Sequence, residues 1–113
     1  MLTALERLGL EVAAFTLLGS RAQAATLCAL LDAEGRFVDW TVLAAARPWK
    51  AHPEESSSNV IKTRISLLRA SMEDVGLGGL VISGGRKEGL IWALPEPGRS
   101  EVIARLIEQA GAV

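Results

Sequence analysis

A chain of 113 residues, half of them hydrophobic and 22% charged, has the material for one core and not for two, so the sequence reads as a single domain. The net charge of -1 excludes a uniformly basic nucleic-acid coat. One cysteine, Cys28, excludes an internal disulfide and, by itself, a zinc site.

Apolar residues recur at helical spacing over most of the chain, and strand-like residues gather near positions 80 to 94. The expected fold class is therefore mainly α with a small β-hairpin. Residues 3–8 are a short helical candidate ending at Gly9, and residues 10–18 are apolar but ambiguous between helix and extended chain. Together, residues 1–19 form an expected N-terminal helical extension. The Ala22-Gln23-Ala24 sequence has the form of a signal-peptidase site, but Glu6, Arg7 and Glu11 interrupt the apolar stretch before it and no basic region leads it. A cytoplasmic, reducing location is expected. No apolar run is long enough to span a membrane.

Ser20 is placed to cap a helix over residues 21–33, with Ala24, Leu27, Leu30 and Leu31 on one stripe and Gly35 at its end. Residues 36–38 read as a short extended piece. Asp39 then caps a second helix over 40–46 that stops before Pro48. Residues 47–57 (RPWKAHPEESS) hold two prolines and no periodicity, and read as a long loop.

Ser57 or Ser58 opens a third helix that runs to about Val75, ahead of glycines 76, 78 and 79. At about 100° per residue, Ile61, Ile65, Leu68 and Met72 form a narrow core stripe. Asn59, Thr63, Ser66 and Ala70 fall opposite it. Lys62 and Arg69 flank the exposed face on one side and Arg64 on the other. Leu67 and Val60 lie off the stripe; the expectation is that they pack on the second helix or the hairpin, with a protein interface as the alternative. Residues 80–83 read as a strand, GGRKEG (84–89) as a turn carrying Arg86 and Lys87, and 90–94 as the returning strand. After Pro95 and Pro97, Ser100 is expected to cap a last helix with Val102, Ile103, Leu106, Ile107 and Ala110 on its apolar face. That helix either packs on the first helix, which is the expectation, or pairs with a second copy to make a homodimer. Trp40 and Trp92 are assigned to the core.

Charge is unevenly spread. Residues 1–46 carry three basic and five acidic groups, whereas residues 56–90 carry five basic (Lys62, Arg64, Arg69, Arg86, Lys87) and three acidic ones. Positive charge is thus concentrated in the third helix and the hairpin.

The order helix, short strand, helix, loop, long helix, hairpin is that of a winged helix-turn-helix, assigned to residues 20–94, with 95–113 as a C-terminal helix. Two segments, ATLCALLDAEGRFVDWTVLAAA with Gly35-Arg36-Phe37-Val38 and NVIKTRISLLRASM, together with Arg86 and Gly89, resemble the OmpR/PhoB-type winged-helix output domain of bacterial transcription regulators. Lys87 stands where that family has the first wing glycine, Leu90 where it has an aromatic, and Leu67 where a basic residue is frequent. The resemblance implies a recognition helix at about 58–75 in the major groove of duplex DNA and a wing at 80–94 on the backbone or minor groove. It also implies contact with RNA polymerase through the 47–57 loop, where Trp49 and His52 are the candidates; a loop anchor folded onto the helices is the other reading of Trp49.

On these readings Lys62, Arg64, Arg69, Arg86 and Lys87 supply phosphate contacts, and Asn59, Thr63 and Ser66 face base edges. An ordinary solvated helix face is the plain alternative for each of them. No enzyme motif is found. The glycines of GLGGLVISGG lack the spacing that cradles a dinucleotide, and the adjacent acidic pairs 54–55 and 73–74 do not face each other. No cofactor is expected. A winged-helix adaptor that binds RNA polymerase or another regulator, with weak or no DNA contact, is the competing function.

Overall fold

The computed structural model describes residues 4–45, 58–84 and 91–111. Five helices and a small sheet follow in the order α1 (Ala4–Leu18), α2 (Arg21–Asp32), β1 (Val38–Asp39), α3 (Trp40–Ala45), α4 (Ser58–Asp74), β2 (Ile82–Gly84), β3 (Ile91–Ala93) and α5 (Gly98–Gly111). The molecule is mainly helical, as the spacing of apolar residues implied.

The first helix departs from expectation. Instead of a short helix ending at Gly9 and an ambiguous tail, α1 runs unbroken through that glycine. A mid-helix glycine costs only about 1 kcal/mol, and burying Leu10, Ala13 and Ala14 against α2 and α5 outweighs it. At the other end, Gly19 adopts a positive φ of 77° and its N–H donates to the Phe15 carbonyl at 2.8 Å, closing the helix with a left-handed cap. Two residues later α2 begins. Ser20 caps it as expected, its hydroxyl accepting from the Gln23 N–H at 3.3 Å. Arg21 lies over the Phe15 ring, 5.4 Å from its centroid, and so bridges the turn.

Helix α2 is the central element, buried from Ala24 through Leu31, and Cys28 is among its buried residues. It packs against α1, α3 and α4, while α5 lies along α1. The C-terminal helix therefore packs on the first helix. One polar tie reinforces this arrangement: Arg99 Nε, at the start of α5, donates to the Leu31 carbonyl at 3.0 Å. A cation there also meets the negative end of the α2 dipole.

The sheet order is β1–β3–β2, antiparallel throughout. Val38 pairs with Trp92 and Asp39 with Ile91; Ile82, Ser83 and Gly84 pair with Ala93, Trp92 and Ile91. The strand expected at 80–83 is shifted to 82–84, so that Gly84, assigned to the turn, pairs with Ile91, and β3 ends at Ala93 rather than Leu94. Leu80 and Val81 precede β2, Val81 and Leu77 being buried in the core. Of the two tryptophans assigned to the core, Trp92 is buried in it and Trp40 packs half-buried against its edge. On the opposite side of the sheet, the Phe37 ring lies where a side chain on Gly84 would be, its Cε1 2.5 Å from the place of a Cβ.

Two helices are opened by carboxylates. Asp39 Oδ1 accepts from the N–H groups of Thr41 (2.9 Å) and Val42 (3.2 Å) and from the Thr41 hydroxyl, which confirms its capping role. Ser100, by contrast, is not the cap of α5. The helix starts at Gly98, and the Glu96 carboxylate accepts from the Ser100 N–H at 2.7 Å and from its hydroxyl. Gly98 sits tight against Leu80, which a side chain at the first helical position would crowd.

Both carboxyls are held below the ordinary carboxylate range, Asp39 chiefly by the Thr41 hydroxyl and Glu96 chiefly by the Ser100 hydroxyl. A lowered native pKa adds stability that is fully present above the unfolded value, about pH 4, and disappears as pH falls through the native one. Urea midpoints measured between pH 6 and pH 2.5 should therefore fall more steeply for the wild type than for an Asp39→Ala/Glu96→Ala variant. Parallel pH profiles would contradict these two caps as contributors to stability.

The apolar face of α5 is narrower than expected. Val102 and Leu106 are buried and Ile103 packs partly against the core, but Ile107 is 60% exposed and Ala110 is also exposed. Among the described elements α1 is the one most extensively packed on α5, and the margin of the α5 stripe is left to solvent.

Among the described residues no helix is long and apolar enough to cross a membrane. Nor do any three His, Cys, Asp or Glu side chains among them cluster so as to hold a metal ion.

Candidate nucleic-acid interface

Helix α4 carries most of the candidate residues, and its phase matches the sequence reading. Ile61, Ile65, Leu68 and Met72 are the buried residues of the helix, each no more than 1% exposed. They lock α4 onto α2 and α3. Burying four such side chains stabilises this placement by roughly 1.5–3 kcal/mol apiece.

The helix ends in a Schellman motif. Gly76 takes a positive φ of 84°, its N–H donates to the Glu73 carbonyl at 3.0 Å, and the Leu77 N–H donates to the Met72 carbonyl at 2.7 Å. Leu77, two residues past the helix cap, is buried in the same cluster as Met72. This closure fixes where the chain leaves α4 for the sheet.

With the inner face committed, the outer face is defined. Asn59, Lys62, Thr63, Ser66 and Ala70 are all exposed, as the wheel placed them. Thr63 donates its hydroxyl to the Asn59 carbonyl at 3.1 Å. From Ser58 to Met72 the helix carries three cations and no acid; Glu73 and Asp74 come only at its end.

The two arginines differ from Lys62. Arg69 is half-buried, and its Nη2 donates to the Ser83 hydroxyl at 2.8 Å, which ties the exposed edge of α4 to β2. A guanidinium has more N–H donors than one hydroxyl can take, so the bond orients Arg69 and still leaves donors outward. Arg64 is also half-buried, with Nη1 enclosed and without a hydrogen-bond partner among the described residues. Of the three, Lys62 is the exposed one.

Sequence reasoning missed two features. Ser83 is separated from Arg69 by fourteen positions, and nothing in either residue's neighbourhood signals the contact. Leu67, expected to pack on the second helix (α3) or the hairpin, is instead 55% exposed, while Val60 is half-buried. Its angle, about 120° from the buried stripe, turns it away from the core that α4 shares with α2 and α3. Val42 on α3, 48% exposed, is another apolar side chain left open to solvent.

Arg86 and Lys87, in the segment joining β2 to β3, lie outside the described residues, as do Trp49 and His52 of the 47–57 segment. Comparison of the chain with family models, with curated proteins and with solved structures finds no match in any of the three.

Proposed function

We propose that the chain is a sequence-specific, DNA-binding transcription regulator of the winged-helix class, acting in the cytoplasm without catalysis. The observation that carries this reading is the two-faced character of α4. One face is wholly buried, and the other presents Asn59, Thr63, Ser66 and Ala70 with Lys62 and Arg69 along one edge and no acid before Glu73. A slim, acid-free helix face of polar and methyl-bearing side chains fits the major groove, where side chains can reach base edges while flanking cations meet phosphates.

The topology supports the same reading. The elements α2, β1, α3, α4, β2 and β3, with strand order β1–β3–β2, follow the element sequence of a winged helix-turn-helix, and the Arg69–Ser83 bond holds the hairpin strand beside the recognition helix. Arg86 and Lys87 would then extend the phosphate contacts from the wing.

A second reading has its own support. The exposed apolar side chains Leu67, Val42 and Phe37 are the kind that a protein partner covers, which favours an adaptor that docks on RNA polymerase or another regulator. The acid-free edge of α4 favours DNA. Titrating isotope-labelled protein with a mixed-sequence 20-base-pair duplex at low salt separates the two. Amide shifts are expected to concentrate on residues 59–70 and to spare α1 and α5. Shifts confined to α1 and α5, or none at all, would remove the DNA reading.

A further inference from the structure

We infer that Leu67 is a specificity-determining residue that reads thymine methyl groups, so that the duplex this helix selects is rich in A·T pairs where its centre lies. The inference rests on the DNA-binding reading and names the chemistry of its target.

Leu67 stands on the outward side of α4 and is 55% exposed. It is one member of a methyl-bearing row. Thr63, Leu67 and Ala70 are spaced i, i+4, i+7 and therefore lie one above another on the helix surface. Thr63 belongs to this row through its methyl, because its hydroxyl is turned back to the Asn59 carbonyl at 3.1 Å. Ala70 is exposed and has nothing but a methyl to offer. A face with Lys62 and Arg69 along one edge thus carries an apolar row on its other side, while its polar members are Asn59 and Ser66.

A single exposed leucine is ordinary on a protein surface. Its setting is what distinguishes this one. No acidic residue precedes Glu73 on the helix, and the edge cations complement a polyanion. A polyanion with apolar groups on the face it presents is duplex DNA at thymine, the base whose C5-methyl projects into the major groove. Over a G·C pair the same leucine would cover the cytosine amine and the guanine O6 without offering either a partner, and an unpaired polar group is costly to desolvate. Asn59 on the same face is suited to adenine, which presents an N6 donor and an N7 acceptor to a carboxamide. Apolar row and amide therefore favour the same base pair.

Replacing thymine by deoxyuridine removes only the methyl groups and isolates this contact. Duplexes would first be selected by the wild-type protein from a random library, then resynthesised with deoxyuridine at every thymine position. Each lost methyl contact should weaken binding about three- to fourfold, and the two or three within reach of the row about tenfold or more together. Leu67→Ala, which should keep the wild-type circular dichroism spectrum because the side chain is exposed, should bind the thymine duplex about as weakly as the wild type binds the uracil form. It should also lose most of the discrimination between the two. Equal wild-type affinity for both forms, with salt-dependent binding retained, would overturn this inference and leave the DNA reading standing. Full discrimination in Leu67→Ala would overturn it as well. Absence of binding to either duplex at low salt would overturn the DNA-binding reading, and the thymine inference with it.

Discussion

Truncating Leu68 to alanine should cost about 3 kcal/mol of stability and lower the melting temperature by on the order of 10 °C, while the same change at the neighbouring Leu67 should move stability by less than about 0.5 kcal/mol. The two leucines are adjacent in sequence and opposite in fate. Leu68 is fully buried, one of four side chains that seat α4 on α2 and α3, and removing three of its carbons leaves a cavity that close-packed neighbours cannot refill. Leu67 is 55% exposed and has little packing to lose. Urea denaturation of both variants checks the phase of the helix directly. A reversed order, with Leu67 the costly position, would mean that α4 is rotated and that Asn59, Thr63 and Ser66 face inward.

That phase was legible in the sequence because four apolar residues at helical spacing leave little freedom in the placement of a helix. Ser20 and Asp39 were legible as caps for a local reason: each sits just before its helix, and its side-chain oxygen needs only the next few amides. Where the fold depends on distant partners, the sequence said less. Gly9 reads as a helix end until the burial of Leu10, Ala13 and Ala14 is known. Ser100 has the chemistry of a cap, but the helix already starts at Gly98, and Ser100 uses both its N–H and its hydroxyl as donors to the Glu96 carboxylate.

Long-range contacts were the least accessible. The pairing of β1 with β3 joins residues more than fifty positions apart through strands of two and three residues, too short for any alternation to show. The Arg69–Ser83 bond is of the same kind. It changes how Arg69 is understood, from a free cation on a helix edge to one oriented by the adjoining strand. The width of the apolar stripe on α5 also misled: Ile107 belongs to the pattern yet is 60% exposed among the described residues.

The second large effect concerns charge. If the α4 edge meets phosphates, the variant Lys62→Glu/Arg69→Glu removes two attractive contacts and substitutes repulsion, and duplex binding at low salt should weaken about a hundredfold, or about 2.7 kcal/mol. Neither group belongs to the core cluster, so the cost in stability should be confined to the lost Arg69–Ser83 hydrogen bond, about 1 kcal/mol, too little to unfold the domain. Ser83→Ala separates the two roles of Arg69. It removes the hydrogen bond that orients the guanidinium but keeps its charge, and so should lower affinity modestly without altering the number of counterions released.

The salt dependence of that binding bears most directly on whether α4 is a DNA-contacting helix. Affinity of the wild-type protein for a mixed-sequence duplex, measured by fluorescence anisotropy across a range of salt concentrations, should fall linearly on a log–log plot, and the double reversal should make the slope shallower by about two units. Binding with the same affinity and slope in both proteins, or no binding to duplex DNA at low salt, would contradict it.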